Sequence, residues 1–514
     1  MPLANASTGR IQKPLSATAR RILFQGELSQ QIDADLPDMS SIDMAHVLML
    51  AERGIVQADP ARCLLQAILR LRQLNFSPLR QAVSWRGLFL MYEGYLIERE
   101  GHNAGGMLQM GRSRNDLNAT LIRMKLRQPY IQLVNAVLRL QAVLIRKATA
   151  HSATVMPAYT HGQPAEPISY GHYLAGVAEA VCRDLDAIIY AARDVNVSPL
   201  GAAAVAGTSV PISTARTAEL LGFTSSRPNS VDAVASRDLV LHFLSAATVL
   251  GVTLSRVSTD LFLWLTGEFQ FLQLPDELVG SSSAMPQKRN PFLLEHVQGR
   301  TASALGAFVT AATAMRNSPF TNSIATGTES VRFLWGAIRD IIDATTLLRL
   351  IVSRARPCPE RMLRRAEEGF TNATALAVQM VLESGMDFRS AHHFVGRAVS
   401  EAAARGMTSL KQLASSETGI LKNVPDDLDP KSCVARARYG GGPAAENLAS
   451  EIAKLRETWL DQYRAVRRQA GCWATAQERL EQAVRRFCLE PELESGLVEA
   501  GPSSHNHGSG HLRS

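Results

Sequence analysis

The residues from Gly280 to Pro291 read Gly-Ser-Ser-Ser-Ala-Met-Pro-Gln-Lys-Arg-Asn-Pro and put hydroxyls, a cation and a helix start in one short loop. Three serines after a glycine give a backbone that can move and oxygens that can exchange protons. Pro291 suits the first turn of a helix, where a missing N–H costs nothing. Lys288 and the free N–H groups of that helix start would form a positive pocket, fit for a carboxylate or a developing oxyanion. Serine-rich loops ahead of a helix are more often caps and linkers. The chemistry therefore needs support from elsewhere in the chain.

Two upstream segments supply it. One is Gly111-Arg112-Ser113-Arg114-Asn115-Asp116; the other runs Met156-Pro157-Ala158-Tyr159-Thr160-His161-Gly162-Gln163-Pro164-Ala165-Glu166-Pro167. With the loop, they resemble the three ordered blocks of the fumarase/aspartase/argininosuccinate lyase superfamily: G-R-S-R-N-D, M-P-x-Y-T-H-x-Q-x-A-x-P and G-S-S-x-M-P-x-K-x-N-P. Ser281 stands at the first position of that last pattern, where the family usually has its Gly. The front block is that of argininosuccinate lyases in particular. Three later stretches, Gly369 to Thr374, Phe388 to Gly396 and Tyr439 to Pro443, resemble the C-terminal domain of the same lyases. Adenylosuccinate lyases share the Thr-His and loop patterns but not the front block or this C-terminal domain.

The resemblance implies a β-elimination that splits a C–N bond of a succinyl group and releases fumarate. The hard step is removing a proton from the carbon beside a carboxylate, so a base must be close and the resulting aci-carboxylate must lie among fixed positive groups. By resemblance Ser282 is the base, with Lys288, the helix N-terminus and loop closure favouring its alkoxide. Thr160 and His161 face the leaving group, and Glu295, seven residues after Lys288, orients a charged His161. Ser113, Asn115, Lys288 and Asn290 hold the succinyl carboxylates. Arg114, Gln163, Ser283, Met285 and Arg237, the last in a Ser236-Arg237-Asp238 block, complete the expected substrate contacts. No H-E-x-x-H, Walker-type glycine loop or G-x-G-x-x-G after a strand occurs, so no metal or organic cofactor is expected.

Long helical patterns must position these residues. Apolar residues recur at helical spacing from Asp238 to Phe269 without a proline, a span of roughly 45 Å at 1.5 Å per residue. Similar patterns cover Pro167 to Val195, Leu293 to Arg316 and Val331 to Arg354. Another runs from Asp116 to His151 and should kink or restart at Pro129. Strand alternation is scarce. Apolar stripes this long fit a helical bundle extended by other subunits. The resemblance implies an all-α homotetramer whose central helices form one shared bundle, each active site being built from three subunits. The expected partition is an N-terminal helical domain (1–115), the central bundle carrying the catalytic loop (116–356), a small helical domain (357–455) and an extension with a disordered tail (456–514).

Composition narrows the class. With 514 residues, 46% of them hydrophobic, the chain can bury a large core and make two to four domains of roughly 150 residues each. The net charge of +7 is spread along the chain and aromatics are only 6%, which suits an anionic small molecule, a dicarboxylate, and not nucleic acid. The 6 cysteines show no C-x-x-C spacing and read as reduced, mostly buried thiols. No signal pattern opens the chain and no uninterrupted apolar run reaches membrane-spanning length. The expectation is a soluble cytoplasmic enzyme with no membrane partner.

The segment expected to hold the amine half of the substrate departs from the family's pattern. Argininosuccinate lyases carry Y-N-K-D-x-Q-E-D-K after the Pro291 helix, whereas this chain has Asn322-Ser323-Ile324-Ala325-Thr326-Gly327-Thr328-Glu329-Ser330. The Tyr, Gln and Lys become Asn322, Gly327 and Ser330. Losing a cation and two long polar donors changes what binds, at about 1–3 kcal/mol for each buried partner left unpaired. Argininosuccinate is the first substrate implied. The alternative is another N-succinyl amine or an aminopolycarboxylate such as ethylenediamine disuccinate. A non-catalytic, crystallin-like relative is a third reading, against which stand Ser282, Lys288, His161 and Glu295.

Overall fold

The computed structural model describes residues 10–489 apart from 12, 26–27, 83–85 and 417–424. The expected tail, Gly501 to Ser514, lies outside the described residues. The longer helices, labelled in chain order, are α1 (Leu28–Glu52), α2 (Ala58–Gln73), α3 (Leu88–Gly105), α4 (Arg114–Ala150), α5 (Tyr170–Ala191), α6 (Asp238–Leu265), α7 (Phe292–Arg316), α8 (Leu334–Arg354), α9 (Pro359–Glu368), α10 (Ala373–Ser384), α11 (Phe388–Ala404) and α12 (Ala445–Leu489). Among the described residues the strands form only two-stranded pairs, of which β1 (Val155–Thr160) and β2 (Gln163–Ser169) make the longest. The fold is all-α.

Buried apolar residues gather in three large clusters. The largest joins the facing stripes of α4 to α8, for example Leu133, Val137, Leu174, Leu185, Phe243, Leu250, Leu294 and Ile341, and takes in Leu448, Val466 and Trp473 of α12. The second fills α1 to α3 and receives Leu117 and Leu121 from α4 and Leu480 and Val484 from the end of α12. The third holds α10 and α11 together through Leu376, Ala391 and Val395, with Leu413 of the short helix Leu410–Ala414 packed among them. One long apolar stripe on α4 thus serves two cores, and burial of such stripes supplies most of the helices' stability.

Four expectations are corrected. Helix α4 runs unbroken through Pro129. That residue is only half-buried, and its neighbours Leu126, Tyr130, Leu133 and Val134 are anchored in the core, which offsets one missing N–H bond. The pattern read as helix from Pro167 is strand to Ser169, because two prolines keep 164 and 167 out of a helix until the Ser169 hydroxyl caps α5 by accepting from the His172 N–H at 3.0 Å. Residue 455 is no boundary: α12 passes through it and docks back on the bundle, its Trp459 Nε1 donating to the Leu138 carbonyl at 2.9 Å and its Gln462 Nε2 to Asp186 at 2.8 Å. Only Cys182 and Cys433 are buried; Cys63 and Cys472 are exposed because they fall on the solvent faces of α2 and α12. Helix α6 is also long and apolar enough to cross a membrane by length and composition alone, and its apolar character is used in packing against α5, α7 and α8.

Candidate active site

The Gly111–Asp116 block folds as the start of α4. Ser113 is the N-cap, its hydroxyl accepting from the Asn115 N–H at 3.3 Å, while the Asp116 carboxylate reaches back to the Ser113 N–H at 3.0 Å. This reciprocal capping box satisfies donors that a helix start leaves open. The other Asp116 oxygen accepts from the N–H groups of Gly201 and Ala203 at 2.9 and 2.8 Å. One carboxylate therefore ties the block to a loop 85 residues away. Burial pushes the Asp116 pKa up, while the backbone N–H groups and Arg112 pull it back. Beneath the turn Arg112 forms a fully buried ion pair with Asp43, and His46 Nε2 lies 2.8 Å from the Met110 carbonyl. Burial first, then the Arg112 charge, hold the His46 pKa down at about 3, so the ring is neutral and donates.

The second block is the β1–β2 hairpin. Thr160 pairs with Gln163, and the two residues between them, His161 and Gly162, both have positive φ, +53° and +74°. That is the type I′ turn, whose twist matches the flanking strands. His161 is thus held in a left-handed conformation that costs a non-glycine residue about 1–2 kcal/mol, and strain of this kind concentrates at functional positions. Thr160, His161 and Gln163 are all exposed at the hairpin tip.

The third block is a loop with a pinched neck. Gly280 and Asn290 exchange backbone hydrogen bonds at 2.8 and 2.9 Å, and a Cβ on Gly280 would sit 2.9 Å from the Phe292 ring, so a side chain there would have to displace that ring. Arg289 anchors the far side, donating to Asp276 at 2.5 Å and to the Leu274 carbonyl at 2.8 Å. Outside the neck Ser283, Met285 and Lys288 are exposed, as is Glu295 in the first turn of α7. Ser282 Oγ accepts from the N–H groups of Ala284 and Met285 at 3.3 and 3.0 Å. Donors aimed at a hydroxyl oxygen favour its anionic form.

The expected residues therefore lie in three groups on one chain. Ser113, Arg114 and Asn115 form the first, joined by Asn322, whose Nδ2 donates to Asn115 Oδ1 at 2.9 Å. Thr160, His161 and Gln163 form the second, and Ser282, Ser283, Met285, Lys288, Asn290 and Glu295 the third. Among the described residues no ion pair or hydrogen bond joins one group to another, Glu295 and His161 included. Arg237, expected among the substrate contacts, is 1% exposed, with Nη1 on the carbonyls of Val234 and Ser236. Sequence reasoning missed Asp116 as the hub and His46 as the prop of the turn. The capping-box spacing Ser113-x-x-Asp116 was a visible signal for the first; nothing local marked the second.

Comparison with known proteins agrees with this layout. The lyase family matches residues 89–306 and the argininosuccinate lyase C-terminal family residues 370–435. Argininosuccinate lyase 1 of Shouchella clausii (strain KSM-K16) is 31% identical over 470 residues, covering 89% of this chain and 94% of that protein. The argininosuccinate lyase of Methanoculleus marisnigri is 38% identical over 425 residues, covering 81% and 86%. A crystal structure of EDDS lyase in complex with formate superposes with a TM-score of 0.80 at 29% identity, covering 95% of this chain and 99% of that one. With its three blocks in order on an all-α frame and relatives matched along most of their length, this chain belongs to the argininosuccinate lyase family and is a carbon–nitrogen lyase.

Proposed function

We propose that this chain releases fumarate from an N-substituted aspartate by a β-elimination that draws only on its own side chains and backbone. The observation that carries the reading is the state of Ser282. Its oxygen already collects two amide N–H groups on a loop that also presents Lys288, the arrangement needed to make a weak hydroxyl basic. Ser282 takes the proton from the carbon next to one succinyl carboxylate. Lys288, Asn290 and the N-terminus of α7 hold the charge that gathers on that carboxylate. Ser113 and Asn115 hold the second carboxylate, with Arg114, Gln163, Ser283 and Met285 around the substrate. The C–N bond then breaks, and His161 at the hairpin tip gives the departing nitrogen its proton, with Glu295 orienting the imidazole.

A homotetramer supports this chemistry. Thr160, His161, Gln163, Lys288 and Glu295 are exposed on the single chain, whereas fixed charges are effective only where water is excluded. Other copies supply the cover, each site drawing on three chains. Helices α6 and α7 leave Val249, Val252, Leu305 and Val309 each at least half exposed, an apolar stripe that a second copy would bury. Free thiols throughout suit the cytoplasm.

Argininosuccinate is the first substrate to test, after the matched relatives. A different N-succinyl amine is the second reading, favoured by Asn322, Gly327 and Ser330 at positions where the family has Tyr, Gln and Lys. The test is fumarate release followed by ultraviolet absorbance, for the wild type and for Ser282→Ala, with light scattering to verify assembly. Ser282→Ala should lower turnover by a factor on the order of 10³ or more while the assembly stays intact. Near-normal turnover in an assembled Ser282→Ala protein would remove Ser282 as the base.

A further inference from the structure

The elimination reading leaves the amine half of the substrate open, and a cavity beside Asn115 narrows it. This cavity, of about 580 Å³, opens next to Arg114, Asn115 and Asn322, a volume within the range that holds small-molecule ligands. Its remaining walls are largely apolar, from Leu15, Phe24, Met39, Leu88, Leu121 and Ile324, with Asp35, Arg86 and Asn118 set among them. Met39, Leu88 and Leu121 are buried and packed into the second core, so this wall is set by the fold.

The charged groups on the same walls are engaged elsewhere, with one exception. Asp35 pairs with Lys125, and Arg86 donates to the Lys13 carbonyl. Arg114 is exposed and makes no ion pair among the described residues. The polar edge is short. Asn322 is held by Asn115, which in turn donates from Nδ2 to the Ala204 carbonyl at 2.9 Å. Gly327 offers no side chain, and the Ser330 hydroxyl is buried and turned to the Thr326 carbonyl at 2.6 Å. No long polar side chain from this segment reaches toward an amine in the cavity.

A guanidinium entering between these walls would trade water for a mainly apolar surface whose one carboxylate, Asp35, is already paired with Lys125, which is unfavourable. An apolar body gains by the same burial, and a carboxylate beside it matches the exposed guanidinium of Arg114. We propose that the amine released at this site is an apolar or aromatic α-amino acid. Its side chain fills the cavity, its carboxylate meets Arg114, and its nitrogen lies beside Asn115 and Asn322. The bond changes are those of the elimination: the C–N bond breaks, its electron pair leaves on the amino-acid nitrogen, and the carbon-bound proton goes to Ser282. The inference rests on that reading and assigns its amine product.

The test is the reverse addition, with purified full-length protein, fumarate and one amine at a time: L-phenylalanine, L-leucine or L-arginine. Loss of fumarate absorbance should show kcat/KM at least ten-fold higher for phenylalanine and leucine than for arginine. Asn322→Tyr, whose ring would enter the cavity, should raise the KM for phenylalanine at least ten-fold. Arginine as the preferred amine would overturn the inference while leaving the elimination intact. So would an unchanged phenylalanine KM in a folded Asn322→Tyr protein. If that variant does not fold, the wild-type ratio decides alone. Consumption of fumarate with no amine, together with no cleavage of argininosuccinate, would overturn both.

Discussion

Acid should loosen the turn that carries Ser113 and Asn115, and His46 sets how much. This histidine is 1% exposed and its Nε2 donates to the Met110 carbonyl at 2.8 Å, two residues before the buried Arg112–Asp43 pair. Burial, then the Arg112 charge, hold its pKa at about 3 against an ordinary 6.5. Above pH 6.5 both the folded and the unfolded chain carry a neutral ring, and the contact contributes in full. Between 6.5 and 3 the unfolded chain takes up a proton that the folded chain refuses, so stability falls with pH at about 1.4 kcal/mol per unit. From pH 7.5 to 5.5 the loss through this group is about 1.4 kcal/mol per chain, since only the last unit lies below 6.5. His46→Gln keeps an N–H for the Met110 carbonyl and cannot titrate. Urea unfolding of both proteins at the two pH values, at one protein concentration so that assembly does not confound the comparison, should show the wild type losing about 1.4 kcal/mol more than the variant. Burial also depresses the pKa of His151 and His172, but both are common to the two proteins and cancel in the difference. Equal losses would refute the assignment of a neutral, buried His46.

Two further outcomes follow from the site geometry. His161→Gly should relieve the left-handed backbone at φ +53° and raise stability by about 1 kcal/mol, while turnover falls by a factor on the order of 10² or more. Thermal melts and fumarate release measure the two, and a variant that is both less stable and fully active would contradict the turn assignment and the role together. Asp116→Asn should cost about 2–3 kcal/mol and raise the KM for the dicarboxylate. The carboxylate accepts from the N–H groups of Ser113, Leu117, Gly201 and Ala203, and an amide would turn a donor toward one pair of them. Unchanged unfolding and unchanged KM would show that these bonds do not hold the block in place.

The helices were legible where their pattern is local. The apolar spacing from Asp238 onward ends as α6 at Leu265, and the Pro291 start of α7 is found where the proline predicts it. The pattern failed where two requirements compete within a few residues. The pattern from Pro167 looks helical, yet the chain stays a strand to Ser169 because neither Pro164 nor Pro167 can donate a hydrogen bond and each disfavours helix for the residue before it. At Pro129 the opposite occurred, and core packing on both sides carried the helix through.

What the sequence by itself determined is the chemical inventory: a serine-rich loop with a lysine, a Thr-His pair, and an Arg-Ser-Arg-Asn helix start, matching that family's blocks. Residue type and near spacing settle such things, because caps, turns and helical stripes depend on neighbours within a turn or two. Only the tertiary structure decided how these pieces are held. It put Asn322 on Asn115 across 207 positions, tied Asp116 to Gly201 across 85, buried Arg237, and folded α12 back onto the bundle. Those contacts join residues far apart in the chain, so they follow from which apolar faces find each other, and no local pattern encodes that.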